Sequence, residues 1–131
     1  ATPEYHGGYS GVLKNALDLM GFDEIEGKMI GLVGVSGGAM GGFAALNSLR
    51  EVGRALHAWV VPEQVSVPHV SDAFDDAGNS TDAGVEKRLK SVGRQVAKFA
   101  SLIAWDLSCF EKQSEITIPK SAIIKTGLSV R

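Results

Sequence analysis

The sequence predicts an α/β fold in which helices cover both faces of a parallel sheet, and three features of the pattern support this prediction. Residues 28–35 form a continuous apolar run, which is typical of a parallel strand covered on both faces. A glycine-rich turn at 36–42 follows this run, and a second short apolar run lies at 58–61. Helical patterns alternate with these strands, as they do in doubly wound sheets.

The N-terminal segment, residues 1–11, has the composition of a loop, with one proline and three glycines. A short helix is expected to follow, with Ser10 as its N-cap and Gly21 as its C-terminal cap. Lys14 and Asp18 are one helical turn apart and are expected to pair. The apolar face of this helix consists of Val12, Leu13, Ala16, Leu17 and Met20.

Two further helices are predicted from apolar residues that recur at spacings of three and four. The first begins near Phe43, and the second covers about 83–107, with Thr81 or Asp82 as its cap. The inner face of the first helix consists of Ala45, Leu46, Leu49, Val52, Gly53 and Leu56. The inner face of the second consists of Val85, Leu89, Val92, Val96, Phe99 and Ile103.

The connection between the second strand and the last helix is expected to be long. Pro62 is expected to end the strand, because proline lacks the N–H that a central strand needs. A polar segment, residues 63–82, then leads to the helix. The tail has strand character at 116–118 and 122–124, which is compatible with a hairpin, an added edge strand or a partly ordered extension.

Composition excludes several functional classes. The net charge of -2 leaves no basic surplus for nucleic acid or an acidic membrane surface. No apolar stretch reaches about 18 residues, so no membrane span is predicted. Cys109 is the only cysteine, so no internal disulfide can form. His57 and His69 have no metal-ligand spacing, and we interpret them as ordinary helix-end and loop residues.

Two glycine-rich loops, residues 2–8 and 36–42, are expected at one edge of the sheet. Ligands of open α/β sheets bind beyond the C-terminal ends of the strands, and glycine lets a ligand approach the backbone closely. Neither loop matches the dinucleotide fingerprint or the Walker pattern. Backbone N–H groups and the ring of Tyr5 suit a flat, electron-accepting ring that gains negative charge on reduction. Ordinary surface turns are the alternative interpretation.

Residue strings in both loops resemble a known family. Residues 2–7 (TPEYHG), followed by 11–18 (GVLKNALD), closely resemble the T-P-E-Y-N-G…P-x-x-L-K-N-A-I-D signature of the NADPH-dependent FMN reductase family. Residues 36–38 (SGG) and 73–82 (AFDDAGNSTD) resemble later segments of that family in the same order. The resemblance extends from residue 1 to about residue 99.

The resemblance implies a flavodoxin-like, three-layer, doubly wound sheet that lacks its first strands. In the flavodoxin-like strand order 2-1-3-4-5, only strands four and five would remain. It implies FMN as prosthetic group, NADPH as hydride donor, and a flavin, quinone, azo compound or metal ion as acceptor. The cofactor-binding residues that it implies are Pro3, Glu4, Tyr5, His6, Gly7, Ser36, Gly37 and Gly38. No catalytic residue and no metal ligand are predicted, since hydride transfer needs only stacking and orientation of the cofactors.

On this interpretation, residues 1–109 are the C-terminal part of an FMN-binding domain and residues 110–131 are a C-terminal extension. The expected assembly is a homodimer or homotetramer in the cytoplasm, with an organelle stroma left open. Two features depart from the family: His6 replaces an asparagine, and a phosphate-binding segment of the G-S-x-R-x-x-S type is missing from the sequence. A flavodoxin-like binding or assembly module without cofactor, and a truncated inactive fragment, are the alternatives.

Overall fold

The structure, a computed structural model, describes residues 1–110, with side chains up to residue 103. It contains, in chain order, β1 (Thr2–Tyr5), β2 (Gly8–Tyr9), α1 (Gly11–Asp18), α2 (Phe22–Ile25), β3 (Met29–Val35), α3 (Phe43–Ala55), β4 (Trp59–Val67) and α4 (Ala83–Phe110). The strand order is β2-β1-β3-β4. Strands β1, β3 and β4 are parallel, and β2 is antiparallel to β1.

The chain forms two compact units, Ala1–Ala100 and Ser101–Arg131. All four strands, and all the packing described below, belong to the first unit. Of the second unit, the structure describes the last part of α4, which ends at Phe110 rather than near residue 107. The predicted strand character of 116–118 and 122–124 lies outside the described residues. No helix in the described part of the chain is long and apolar enough to cross a bilayer.

The prediction of a loop over residues 1–11 is wrong, because strands β1 and β2 form a hairpin there. Glu4 pairs with Tyr9 in this hairpin. The turn residues His6 and Gly7 have φ angles of 52° and 79°, as in the type I′ turn that joins strands through two residues. Strand β1 also pairs in parallel with β3, so residues 1–110 contain three parallel strands rather than the two expected.

The start of α1 agrees with the prediction and its end does not. The hydroxyl of Ser10 accepts a hydrogen bond from the N–H of Leu13 at 3.3 Å, which confirms the cap. Helix α1 ends at Asp18, with Leu19 as its C-cap. Gly21 instead precedes α2, where its N–H donates to the carboxylate of Glu24 at 2.7 Å. The predicted apolar face is also too broad, since Val12 is 83% exposed.

Helices cover both faces of the sheet, which confirms the three-layer α/β prediction. On one face, the valines of β4 pack against Val85 and Val92 of α4. On the other face, Leu32 of β3 packs against Leu46 and Leu49 of α3, with side chains of α1 beside them. Within the first unit, the inner stripes predicted for α3 and α4 therefore face the core, except that Phe99 is 38% exposed. Ile103, the last residue of the predicted α4 stripe, belongs to the second unit.

Strand β4 continues through Pro62, so the prediction that this residue ends the strand is wrong. Ile30 pairs with Val60 and Leu32 with Gln64, so two steps along β3 match four steps along β4. Pro62 lies in this irregular segment, one of the places where a strand tolerates a missing N–H. The polar connection consequently begins at residue 68 rather than at residue 63.

The predicted cap of α4 is confirmed for one of its two candidates. The Oδ1 atom of Asp82 accepts hydrogen bonds from the N–H groups of Gly84 at 2.6 Å and Val85 at 3.2 Å. The hydroxyl of Thr81, the other candidate, donates to the carbonyl of Asp72 at 2.7 Å. Asp82 thus supplies the negative group that the N-terminal end of a helix favours.

Candidate functional site

The two glycine-rich segments of the sequence lie at the same edge of the sheet. Pro3 of β1 pairs with Val35 of β3, so Tyr5 and Gly37 each lie two residues beyond this pair. Val35 in turn pairs with Val67, the last residue of β4. The β1–β2 turn, the loop 36–42 (hereafter the glycine loop) and the connection 68–82 therefore all follow the C-terminal ends of parallel strands. Open α/β sheets bind their ligands at this edge.

The glycine loop is fixed by carbonyl groups that turn towards the protein. The carbonyl of Gly38 accepts hydrogen bonds from the hydroxyl of Ser36 at 3.0 Å and from the N–H groups of Gly41 and His69, both at 3.4 Å. The carbonyl of Ser36 accepts from the N–H of Val70 at 3.1 Å. These bonds join the glycine loop to the segment that follows β4.

The amide groups of the same peptides are available to a ligand. In a trans peptide the N–H points opposite to the carbonyl, so the N–H groups of Gly37 and Ala39 point away from these partners. Within residues 1–110, the N–H groups of Gly37, Gly38, Ala39 and Met40 donate to no protein acceptor. The loop therefore offers up to four hydrogen-bond donors at the ligand edge of the sheet.

The glycines of this loop fall into two groups. A Cβ atom built on Gly37 or Gly38 would meet no atom within 4 Å, so nothing inside the described protein requires glycine there. A Cβ on Gly41 would clash with the hydroxyl of Ser66, and one on Gly42 would lie 2.8 Å from the backbone of Gly34. The second group packs the loop against the sheet, whereas the first leaves open space for a ligand.

The end of β4 holds the far side of the glycine loop. The hydroxyl of Ser66 donates to the carbonyl of Met40 at 2.7 Å, and the N–H of Val67 donates to the carbonyl of Gly41 at 3.1 Å. The loop is thereby bonded to its neighbouring strand as well as to the segment beyond it. Because the loop is held in place, its free N–H groups can stabilise negative charge on a ligand with little reorganisation.

Glu4 does not lie free beside a ligand. Its Oε2 atom accepts a hydrogen bond from the N–H of Ala45 at 3.0 Å, across 41 positions in the sequence. Ala45 is the third residue of α3, and Gly42, which precedes this helix, has no side chain to cap it. The carboxylate of Glu4 therefore takes the place of the missing N-cap.

The other residues predicted from the resemblance are distributed around this edge. Tyr5 is 63% exposed at the end of β1, His6 and Gly7 form the exposed turn, and Pro3 is half-buried within the strand. Exposed apolar side chains also begin α3 and precede it: Met40 is 67% exposed and Phe43 is 49% exposed. The edge thus combines backbone donors with apolar and aromatic surface.

One histidine lies at the ligand edge of the sheet, and another lies far from it. His69, interpreted from the sequence as an ordinary loop residue, donates its N–H to the carbonyl of Gly38 and has a φ of 46°. Its position two residues after the end of β4 could not be predicted, because the sequence indicated that this strand ends at Pro62. His57 instead precedes β4, where it stacks on Phe22 at 4.6 Å and lies 3.3 Å from Glu26.

The connection 68–82 is ordered by its own polar contacts. The side-chain amide of Asn79 donates to Asp75 at 3.0 Å and its N–H donates to the same carboxylate at 2.7 Å. These bonds, the side-chain one above all, hold the pKa of Asp75 below its ordinary value. No group of three or more metal-ligating side chains occurs in the part of the chain that the structure describes.

The donors and open space fit the edge of a planar, electron-accepting ring. Gly37 and Gly38 permit close approach, the unpaired amides match carbonyl oxygens or developing negative charge, and Tyr5 supplies an aromatic surface. None of these groups needs to transfer a proton for a hydride to move between two stacked cofactors. The residues therefore fit a flavin.

A doubly wound sheet with a donor-rich glycine loop at its C-terminal edge defines a flavodoxin-like protein. The family model for NADPH-dependent FMN reductase matches residues 1–72, and the chain belongs to this family. This confirms the family recognised from residues 2–7, and with it FMN as cofactor and NADPH as hydride donor of the family.

Similar proteins agree with this assignment. The chain is 37% identical over 103 residues to an FMN-dependent NADPH-azoreductase of Staphylococcus aureus strain USA300, covering 76% of this chain and 54% of the relative. The match to the same enzyme of strain NCTC 8325 / PS 47 has the same values. A solved structure of FerB, a flavoenzyme NAD(P)H:(acceptor) oxidoreductase from Paracoccus denitrificans, has a TM-score of 0.58 and 26% identity. That comparison covers 79% of this chain and 58% of FerB. The chain thus spans about half the length of the relatives it matches.

Proposed function

We propose that this chain forms the flavin-ring side of an FMN-dependent NADPH oxidoreductase that reduces a small-molecule acceptor. The observation that carries the proposal is the orientation of the glycine loop. The carbonyls of Ser36 and Gly38 bond into the protein, while the N–H groups of Gly37 and Ala39 have no protein acceptor within the described residues. Family membership and the two named relatives support FMN and NADPH as its cofactors.

FMN would supply the electron chemistry, accepting a hydride equivalent and passing electrons on. The protein's part is to bind and orient the ring. The N–H groups of the glycine loop would hold its polar edge, and open backbone at Gly37 and Gly38 would allow close contact. Tyr5, with Pro3, His6 and Gly7 around it, would form the wall contributed by β1 and its turn. Glu4 would act by capping α3, and its carboxylate would not contact the ring.

The acceptor that we propose is an azo compound or a quinone, with free flavin or a metal ion as further acceptors. The name of the Staphylococcus aureus relative supports an azo compound. The exposed apolar side chains of Met40 and Phe43 support an organic, planar acceptor, since apolar surface at a ligand edge favours such groups.

The proposal can be tested on the purified full-length gene product. We expect flavin absorbance in the protein as isolated, and NADPH oxidation that accelerates when an azo compound or a quinone is added. A colourless protein that takes up no FMN would contradict the proposal and favour the binding or assembly module. FMN uptake without turnover by any of the four acceptor classes would favour an inactive fragment.

We further propose that the protein acts as a homodimer or homotetramer in the cytoplasm. Val12 of α1 and Leu19, the C-cap that follows this helix, are 83% and 82% exposed. Large exposed apolar residues beside each other favour contact with a partner. Light scattering should report a dimer or tetramer, and Val12→Glu should shift it towards the monomer. A clean monomer at micromolar concentration would contradict the assembly. A fluorescent fusion in a stroma would contradict the location.

A further inference from the structure

We propose that Glu4 is a positioning residue that caps α3 and offsets the positive end of that helix beside the glycine loop. This inference rests on the proposed function, since its consequences are measured on bound FMN. The family resemblance places Glu4 among the residues that line the ring. The structure instead directs its carboxylate to the N–H of Ala45, at 3.0 Å.

The N-terminal end of α3 lacks a hydrogen-bond acceptor from its own cap residue. The first N–H groups of a helix have no intrahelical partner, and a polar side chain directly before the helix usually supplies one. Gly42 occupies that position with a φ of 90° and cannot do so. A Cβ there would lie 2.8 Å from the backbone of Gly34, so glycine is required for packing. Glu4, from the neighbouring strand, supplies the acceptor instead.

The bond also fixes the glycine loop at a second point. Ser66 and Val67 of β4 hold Met40 and Gly41 from one side. Glu4 of β1 holds the start of α3 at the end of the same loop. The loop is therefore clamped between the two strands that flank β3. Loss of the Glu4 bond would let the unpaired N–H groups move relative to Tyr5, which is next to Glu4 in β1.

The charge of Glu4 has a separate effect. The N-terminal end of a helix carries a partial positive charge of about half an elementary charge, and a carboxylate bonded to it offsets that charge. Reduction adds negative charge to a flavin ring held nearby. Glu4 should therefore make reduction of the bound ring less favourable than it would be with a neutral cap.

Two substitutions separate position from charge. Glu4→Gln keeps an oxygen acceptor for Ala45 but removes the charge, and Glu4→Ala removes both. In the flavin-loaded full-length protein, Glu4→Ala should increase the FMN dissociation constant by about tenfold or more. Glu4→Gln should stay within about threefold of the parent, and its FMN midpoint potential should shift upward. The matched control is Asp82→Ala, which removes the cap of α4 on the other face of the sheet.

The outcomes are distinct. Asp82→Ala should lower the melting temperature without changing FMN affinity or potential, as expected of a cap with a structural role only. If both Glu4 variants kept the parent's FMN affinity and potential, Glu4 would be no more than a second such cap, and the inference would be overturned. Should Glu4→Ala fail to fold, the potential of Glu4→Gln decides alone, and an unchanged value overturns it. A parent protein that takes up no FMN overturns the proposed function itself.

Discussion

The guanidinium group of Arg50 donates to the carbonyl of Pro62 at 2.7 Å and thereby joins α3 to the irregular segment of β4. The same side chain donates to the carbonyl of Val61 at 3.0 Å and to the Oε1 atom of Gln64 at 2.7 Å. Both carbonyls lie where the register between β3 and β4 shifts. Arg50 therefore binds backbone carbonyls in the irregular part of the strand. This explains how β4 can pass through a proline and continue to the ligand edge.

Replacing Arg50 with alanine should destabilise the protein by about 1–3 kcal/mol, because the partly buried carbonyl of Val61 and the side-chain oxygen of Gln64 would lose their donor. Arg54→Ala is the matched control, since Arg54 is exposed in the last turn of the same helix, and it should change stability by less than about 0.5 kcal/mol. Urea unfolding of both variants measures the difference. Equal effects would show that the Arg50 bonds contribute nothing specific.

Substitutions in the two groups of glycines should have different effects, one on FMN binding and the other on the stability of the fold. Gly37→Val and Gly38→Val should weaken FMN binding by tenfold or more, on the order of 1.4 kcal/mol, without lowering the melting temperature. Gly42→Ala should instead destabilise the fold by about 1–3 kcal/mol, since its φ is 90° and its Cβ would meet backbone at 2.8 Å. Unchanged flavin content in both valine variants would contradict the site.

The control for the valine variants is Gly93→Val on α4, where a Cβ also meets nothing within 4 Å. It should leave FMN binding unaltered. A loss of flavin there as large as that at Gly38 would indicate a general effect of the substitution on folding rather than blocked access to the ring.

Replacing His6 should change both the stability of the fold and the midpoint potential of bound FMN. Its φ of 52° is more favourable for asparagine, the family's residue and the usual partner of glycine in such turns. His6→Asn should raise the free energy of unfolding by part of the roughly 1–2 kcal/mol that the left-handed region costs. Because an imidazole can take up a proton and an asparagine amide cannot, the same variant should alter how the FMN midpoint potential varies with pH.

His57→Asn is the comparison for this prediction, since His57 also has a positive φ of 57° but lies before β4, at the opposite edge of the sheet. It should leave the potential of FMN unchanged at every pH. Identical pH titrations of the potential for the parent and His6→Asn would show that His6 serves the turn alone.

The 131-residue chain by itself should bind FMN weakly. It contains no phosphate-binding segment of the family's type, and three absent charge-assisted hydrogen bonds would weaken binding by about three to six powers of ten. Within the described residues, β3 pairs with β1 only at Gly34 and Val35. The part of β3 that pairs with β4 but has no partner on its β1 side borders an apolar groove. This groove is lined by Ala1, Leu13, Leu17, Ile30, Leu49 and Val52.

Titration calorimetry of the 131-residue chain with FMN measures this affinity. An open strand edge beside an apolar groove also favours pairing with another chain, so light scattering should show that this chain self-associates. Submicromolar FMN binding by the isolated chain would contradict both the weak-binding prediction and the role assigned to the phosphate segment.

Local patterns determined those elements whose signal lies within a few residues. The apolar run of β3, the period of α3 and α4, and the caps Ser10 and Asp82 could be predicted because each depends on neighbours in the sequence. The string TPEYHG likewise identified the family before any geometry was known. Its last two residues, His6 and Gly7, also favour a two-residue hairpin turn. The composition around them favoured a loop instead.

Tertiary structure decided what depends on distant partners. Residues 2–5 become a strand because β3 pairs with Thr2 and Pro3. Strand β4 passes Pro62 at a register shift, where Arg50, twelve residues earlier, binds the carbonyl of Pro62. The carboxylate of Glu4 accepts a hydrogen bond from Ala45 across 41 positions, a partner that no local pattern in the sequence could indicate. Backbone groups must be satisfied wherever the fold buries them, and their partners follow from which strands and helices become neighbours in space.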